Sequence, residues 1–386
     1  MKFLHTSDLH IGKKLDGILR LDEQEQVLKE ICEIAVNEKV DTVLIAGDVF
    51  DTFLPSAEAE NLFFEFIDDL SQKGLCVVAV SGNHDDGSRL SASKTLSSRR
   101  GVFLCNGENS FKLGKYGNVN LIGVDKNYLV FEKEGEQVFI ATVPYFGEAP
   151  VGFIVDKEIS YNERVESILK QIFESKKEEQ TGILVTHLFM LGGQTTDGER
   201  SIDLGGVKVV SPTAIPTSCK YTALGHLHKR QIASQSRHVI YSGSPLQYSY
   251  DEVGNEKSVT VFETKNGEVD SVVVLPLKTG KKLVKQTVDG VESLDVKLSK
   301  FAYNFVDLTI LSDRPLTLEE SAKIKEEFPF VTKLRLEFSA SINGERITGR
   351  KHLSDRELFV EFFKTKYGSE PDEELLSCYL EIISEE

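Results

Sequence analysis

Cysteine is sparse in this chain of 386 residues: Cys32, Cys76, Cys105, Cys219 and Cys378 stand singly, with no close pair among them. That spacing argues against a cysteine-bound metal and predicts reduced thiols in a cytoplasm. Long apolar runs are missing too. No stretch approaches the roughly 20 residues of a membrane span, so no membrane association is expected. Met1-Lys2 leads straight into Phe3-Leu4, which predicts no targeting segment. Basic residues are outnumbered, 45 against 61, for a net charge of −16. The deficit sits awkwardly with the broad basic face by which proteins bind nucleic acid without regard to sequence. Positive charge comes only in small clusters (Lys13-Lys14, Lys94 with Arg99-Arg100, Lys229-Arg230), each ordinarily a solvated surface.

What the chain does have is a series of aspartates and histidines in five short motifs. In order they are Asp8-Leu9-His10, Gly47-Asp48-Val49-Phe50-Asp51, Gly82-Asn83-His84-Asp85, Thr186-His187 and Gly225-His226-Leu227-His228. Each follows a short apolar run, such as Val43-Leu44-Ile45-Ala46 or Val77-Val78-Ala79-Val80. Such runs predict strands of a sheet covered on both faces. The motifs then fall where strands end, which is where open α/β sheets gather ligand-binding groups. A lone histidine at a strand end is ordinarily a hydrogen-bonded loop residue. Here five of the eight histidines sit in such motifs, and His5, His238 and His352 are left as packing or surface residues.

Asp8, His10, Asp48, Asn83, His187, His226 and His228 make seven candidate ligands, where one zinc ion needs only three or four. The surplus predicts two divalent ions, which can share a carboxylate, activate water and clamp phosphate oxygens. Asp48 is the natural bridge, since the glycine before it leaves the approach open. Mixed nitrogen and oxygen donors suit Mn, Fe, Co or Zn better than Mg or Ca. The chemistry expected of such a centre is hydrolysis of phosphate esters.

The catalytic domain is expected over residues 1–275, with helices marked by apolar stripes at Leu62, Phe63, Phe66, Ile67 and Leu70, and at Val165, Ile168, Leu169, Ile172 and Phe173. Ser160 and Glu163 have the spacing of a capping box. A Gly-rich stretch (Gly192-Gly193, Gly198, Gly205-Gly206) lies between His187 and His226, either a plain loop or, from its place beside the metal motifs, one that contacts substrate. Residues 280–345 predict a small α+β unit, with strands at 283–288, 305–311 and 331–338 and a helix capped by Thr317 and Glu320. Residues 350–386 predict a helical hairpin, bearing Leu358, Phe359, Phe362 and Phe363, then Leu375, Leu376, Tyr379, Leu380 and Ile383. That much apolar surface must pack on the rest of the chain or on a partner.

The ordered motifs resemble those of the calcineurin-like metallophosphoesterases. Met1 to Gly12 and Tyr241-Ser242-Gly243-Ser244-Pro245 resemble the SbcD nuclease-subunit family within them. The resemblance spans nearly the whole chain. It implies an α/β, two-sheet metallophosphoesterase sandwich with a small α+β capping domain and a C-terminal helical hairpin. It implies that Asp8, His10, Asp48 and His228 hold one ion, and that Asp48, Asn83, His187 and His226 hold the other, with manganese expected. His84 is then the general acid or transition-state stabiliser, and Asp51 the carboxylate that orients it.

The implied activity is a DNA nuclease of repair and recombination. It would act exonucleolytically on duplex ends and endonucleolytically on single strands and hairpins. The implied partner is an SbcC-like coiled-coil ATPase gripped by the terminal hairpin, with a homodimer inside a heterotetramer. Two rival readings stand beside it. A small-molecule phosphodiesterase of this fold would not require the residues after the catalytic domain, and a non-catalytic DNA-end tether has no use for a proton donor at His84.

Overall fold

The computed structural model describes residues 1–147, 153, 158–196, 208–292, 294–338, 341–342, 345–346, 359–360, 363–364, 371 and 375–376. Two sheets lie face to face. The first has six strands, in the order Glu268–Pro276, Ser258–Lys265, Lys2–Thr6, Thr42–Ala46, Cys76–Val80 and Val102–Cys105. The last four are mutually parallel, and the two late strands join antiparallel at the edge. The second has eight strands, with Val239–Tyr241, Cys219–Gly225, Thr181–His187 and Glu136–Val143 parallel in its middle.

Alternation along the apolar runs explains why both faces are buried. Leu4, Val43, Ile45, Val77 and Ala79 face the helices Leu21–Asn37 and Ala57–Gln72. Their neighbours Phe3, Leu44, Ala46, Val78 and Val80 face the opposite sheet. A strand with apolar residues at every position therefore belongs between two layers. Between the sheets, Phe262 stacks on Phe3 at 5.0 Å and on Tyr221 at 3.7 Å. On the outside of the second sheet lies the helix Tyr161–Phe173, opened by the expected Ser160–Glu163 capping box, with Val165, Ile168, Leu169, Ile172 and Phe173 all buried. His5 is a packed strand residue, fully buried with Nδ1 3.1 Å from the Tyr221 hydroxyl.

Residues 283–338 form a separate layer. Strands Leu283–Asp289, Phe305–Ser312 and Val331–Phe338 are found where expected, with helices Leu294–Leu298 and Leu318–Glu327 between them. All three strands are parallel, which corrects the α+β expectation to a βαβαβ arrangement. The physical reason is that each connection carries a helix, and such a crossover returns the chain to the same end of the sheet. The layer is tied to the catalytic sandwich through its linker. Glu30 accepts from the amides of Lys278 and Thr279 at 2.8 and 2.9 Å, and the Gln247 side chain accepts from Leu283 N at 2.9 Å.

In the terminal segment, residues 359–360, 363–364 and 375–376 are helical, and the Phe359 and Phe363 rings lie 6.0 Å apart. The anchors Leu358, Phe362, Tyr379, Leu380 and Ile383 lie outside the described residues, as do His352, Cys378, Gly198 and Gly205-Gly206. Among the described residues, no helix is long and apolar enough to cross a membrane.

Candidate metal centre

Five parallel strands deliver the five motifs to one place. Asp8 follows Lys2–Thr6, Asp48 follows Thr42–Ala46, and Asn83 follows Cys76–Val80; His187 ends Thr181–His187, and His226 follows Cys219–Gly225. The loops are sewn together by main-chain bonds. Asp8 N donates to Gly47 O at 3.0 Å, His10 N to Asp48 O at 3.0 Å, and Ile11 N to Val49 O at 2.9 Å. Asp8, His10, Asp48 and His226 all take positive φ angles of 52°, 43°, 50° and 101°. Non-glycine residues seldom adopt that region, and such strain persists where surrounding structure enforces it.

Asp48 turns one carboxylate oxygen to the backbone and one to the centre, whereas Asp8 Oδ2 accepts from the Ser7 hydroxyl. Asp48 Oδ1 accepts from His84 N at 2.8 Å, while its Oδ2 lies 3.5 Å from His10 Nε2 and 3.4 Å from His187 Nε2. Asp8 Oδ1 accepts from His226 N at 2.9 Å. Asn83 Oδ1 lies 2.9 Å from His187 Nε2 and 3.0 Å from His226 Nδ1. His10 Nε2 and His228 Nε2 face each other at 3.0 Å. Asp8, His10, Asp48, His84, His187 and His228 are all buried, and Asn83 is half-buried.

The donor set fits cations. His187 Nδ1 lies 2.9 Å from Ala46 O, so one proton belongs on Nδ1. Its Nε2, Asp48 Oδ2 and Asn83 Oδ1 then converge on one point. Two oxygen acceptors there call for a positive centre, whether a proton on Nε2 or a cation in its place. An imidazole that gives its other N–H to a carbonyl is the usual metal-ligand arrangement. Among the described residues, three groups of potential ligands have donor atoms within 4.8 Å of one another: Asp8, His10 and His228; Asp8, Asp48 and His187; and His10, Asp48 and His84. Asp48 thus belongs to two of them. The third brings His84 within reach as a ligand, which the motif series did not suggest.

Burial and charge divide the imidazoles. Burial pushes His10 and His226 down to about 3, keeping them neutral and available as donors. Burial also lowers His187, but the Asp48 and Asp8 carboxylates outweigh it and raise this group to about 9. Burial raises Asp8, while at Asp48 the neighbouring histidines overcome burial and hold the carboxyl well below its usual range.

One expected role is corrected. Asp51 does not turn its carboxylate to His84. That group lies 2.8 Å from Lys13 Nζ and 3.4 Å from His10 Nδ1, because a full cationic charge is the stronger partner for a carboxylate. His84 Nδ1 instead lies 2.8 Å from the main-chain oxygen of Asp51. The loop still fixes the imidazole's tautomer, but through a carbonyl rather than a charge.

Three positions that brace the motif loops escaped the motif reasoning. Asp85, part of a quoted motif but given no role, accepts from the amides of Val49, Phe50 and Gly82 at 3.0, 2.9 and 2.8 Å, joining two ligand loops. Burial and the Asp48 charge push it up to about 7 against those three donors. Gln24 donates to His10 O at 2.7 Å and accepts from Gly12 N at 3.0 Å. Glu252 is fully buried beside His228, and only its capping-box spacing from Ser249 marks it in the sequence.

Sandwich, loop placement and ligand set together define a metal-dependent phosphoesterase. Residues 1–230 match the calcineurin-like phosphoesterase family, and the chain belongs to it. The chain is 32% identical over 399 residues to the SbcD component of nuclease SbcCD from Bacillus subtilis (strain 168), covering 100% of this chain and 98% of that one. It is 29% identical to the protein of the same name from Staphylococcus epidermidis, covering 94% and 93%, and 29% identical to that of Rhodobacter capsulatus, covering 82% of each. Within the calcineurin-like phosphoesterases it is a member of the SbcD nuclease-subunit family, and so a metal-dependent nuclease.

Proposed function

We propose that this chain hydrolyses DNA phosphodiesters with two divalent ions, manganese foremost. It would digest duplex ends exonucleolytically and cut single strands or hairpins endonucleolytically. Asp8, His10, Asp48 and His228 would hold one ion, and Asp48, Asn83, His187 and His226 the other. Ions held there would supply activation of water and neutralisation of charge on the phosphate. The observation that carries the reading is the place of Asp48 Oδ2, 3.5 Å from His10 Nε2 and 3.4 Å from His187 Nε2, between the two halves of the ligand set.

His84 is assigned the proton that the departing 3′ oxygen requires. Its Nδ1 is occupied by Asp51 O, which makes Nε2 the atom to deliver it. Beside Asn83 a cleft of about 370 Å³ is lined by the exposed Phe53 and the half-buried Tyr145. Aromatic surface of this kind suits unstacked bases and favours a nucleic acid over a small phosphodiester. With the net charge at −16, DNA affinity falls to local basic loops, the bound ions and a partner.

Residues 280–345 are assigned as a capping domain after a catalytic domain over 1–275, and 350–386 as a helical hairpin that docks an SbcC-like coiled-coil ATPase, with two copies of this chain in a heterotetramer. Labelled duplex and hairpin DNA, incubated with the protein and Mn or Mg beside a chromogenic phosphodiester, tests the activity. Cutting of the chromogen with no cutting of either DNA would refute it. Ending the chain near Arg350 should abolish co-purification with the ATPase while leaving basal cutting.

A further inference from the structure

We propose that Glu252, backed by Lys257, is a positioning residue for His228 and sets the affinity of the ion site to which His228 contributes. The proposal rests on the two-ion reading of the centre. Glu252 closes a short 3-10 turn, Tyr250–Glu252, and its side chain is fully buried. Its Oε1 lies 3.5 Å from His228 Nδ1 and accepts from the amides of Tyr248 and Ser249 at 2.9 and 3.1 Å. Its Oε2 pairs with the Lys257 ammonium. That ammonium also donates to His228 O at 2.9 Å and to Ser244 Oγ at 2.8 Å. One buried ion pair therefore meets His228 at both its ring and its main chain.

The ring's other nitrogen, Nε2, faces His10 Nε2 at 3.0 Å. An imidazole that binds a cation through Nε2 must keep its proton on Nδ1, and an anion beside Nδ1 fixes that tautomer and makes Nε2 a stronger donor. His187 offers a contrast within the same centre. Its Nδ1 faces a neutral carbonyl, Ala46 O, at 2.9 Å. The two halves of the centre are thus supported unequally, with a carboxylate at ion-pair distance behind one ring and a hydrogen-bonded carbonyl behind the other.

A plainer reading makes Glu252 only a turn cap, since it forms a capping box with Ser249. The two roles differ in what they predict. A cap sets stability alone; a positioning residue sets the affinity of one ion and not the other. The experiment is calorimetric titration of the metal-free, full-length chain with Mn²⁺, comparing wild type, His228→Ala and the double variant Glu252→Gln/Lys257→Met. The double variant keeps an oxygen for the two amides and leaves no buried charge unpaired.

A folded double variant should lose roughly 10- to 100-fold in affinity at the site that His228→Ala removes, with the other site unchanged. Wild-type affinity at both sites, or equal loss at both, overturns the proposal. If the double variant does not fold, Glu252→Asp, which withdraws the carboxylate by one methylene, carries the same expectation. Uptake of fewer than two ions by the wild type would refute the two-ion reading itself, and the proposal with it.

Discussion

Gly82→Ala should disable the centre without replacing any of the candidate ligands. Gly82 is not in the left-handed region, so alanine meets no backbone penalty there. Its Cβ, however, would stand 2.1 Å from Asp48 Oδ1, 2.3 Å from Asp48 N and 2.7 Å from Asp48 Cγ. Ordinary contact begins near 3.4 Å, so Asp48 must retreat by more than 1 Å, and the main-chain contact means the whole turn must move. That turn carries the carboxylate 3.5 and 3.4 Å from its two imidazoles and holds the His84 amide at 2.8 Å.

A misplacement of about 1 Å costs on the order of 10²-fold in rate, and overpacking costs about 1–3 kcal/mol of stability. The assay pairs metal analysis with hydrolysis of a chromogenic phosphodiester. Gly74→Ala serves as the control: its φ is +80° but nothing lies within 4 Å of the added carbon, so it bears only left-handed strain, about 1–2 kcal/mol. It should keep metals and activity. Gly82→Ala with two bound ions and near wild-type turnover would refute the role given to Asp48, and equal damage in the control would show that general instability explains the loss.

Asp48→Asn should lose both ions and His228→Ala mainly one, as read by metal equivalents; two full equivalents in Asp48→Asn would remove the bridge. His84→Ala should retain its metals and lose cutting by about 10²-fold or more, whereas Asp51→Asn, whose carboxylate touches His10 and Lys13, should weaken metal binding instead. An Asp51→Asn protein with full metals and the kinetics of His84→Ala would restore the orienting role that the geometry denies it. His5 is held down to about 3, chiefly by burial, against an ordinary value near 6.5. Below pH ~6.5 the unfolded chain takes up this proton and the folded chain does not, so its contribution to stability falls as pH drops towards 3. Relative to His5→Gln, the wild type should therefore lose up to about 1.4 kcal/mol per pH unit in denaturant midpoints between pH 6.5 and 5. A difference flat across that range would show that the imidazole takes up its proton in the fold as it does in the unfolded chain.

The sandwich and the meeting of the motif side chains at one place were legible because both are written in local pattern. Apolar residues at every position of Val43 to Ala46 and Val77 to Val80 demand cover on both faces, and a polar residue directly after such a run can only stand at the strand's end. Direction of a side chain is not local. Asp51 and His84 share a neighbourhood, as the motifs suggested, but Lys13, 38 residues earlier, captures the carboxylate at 2.8 Å. Glu252 follows no apolar run, so nothing around it announces that His228 lies beside it. The parallel order of the Leu283–Phe338 layer was hidden for a related reason: the helix Leu294–Leu298 has only five residues, too few to show a period.

One class of tertiary contact was nevertheless written into the motifs themselves. Three of the five contain a glycine directly before a polar residue, and at each the space a Cβ would need is held by another motif or its strand. At Gly47 the intruding atom is His187 Nδ1 at 2.5 Å, at Gly82 it is Asp48 Oδ1 at 2.1 Å, and at Gly225 it is Ala46 O at 1.9 Å with His187 Nδ1 at 2.7 Å. Only at Gly47 does a positive φ, +86°, add a conformational reason. At Gly82 and Gly225 the requirement is proximity alone. These glycines mark where separate strand ends must close to within backbone contact. Without that closure, side chains drawn from five loops could not meet at one centre.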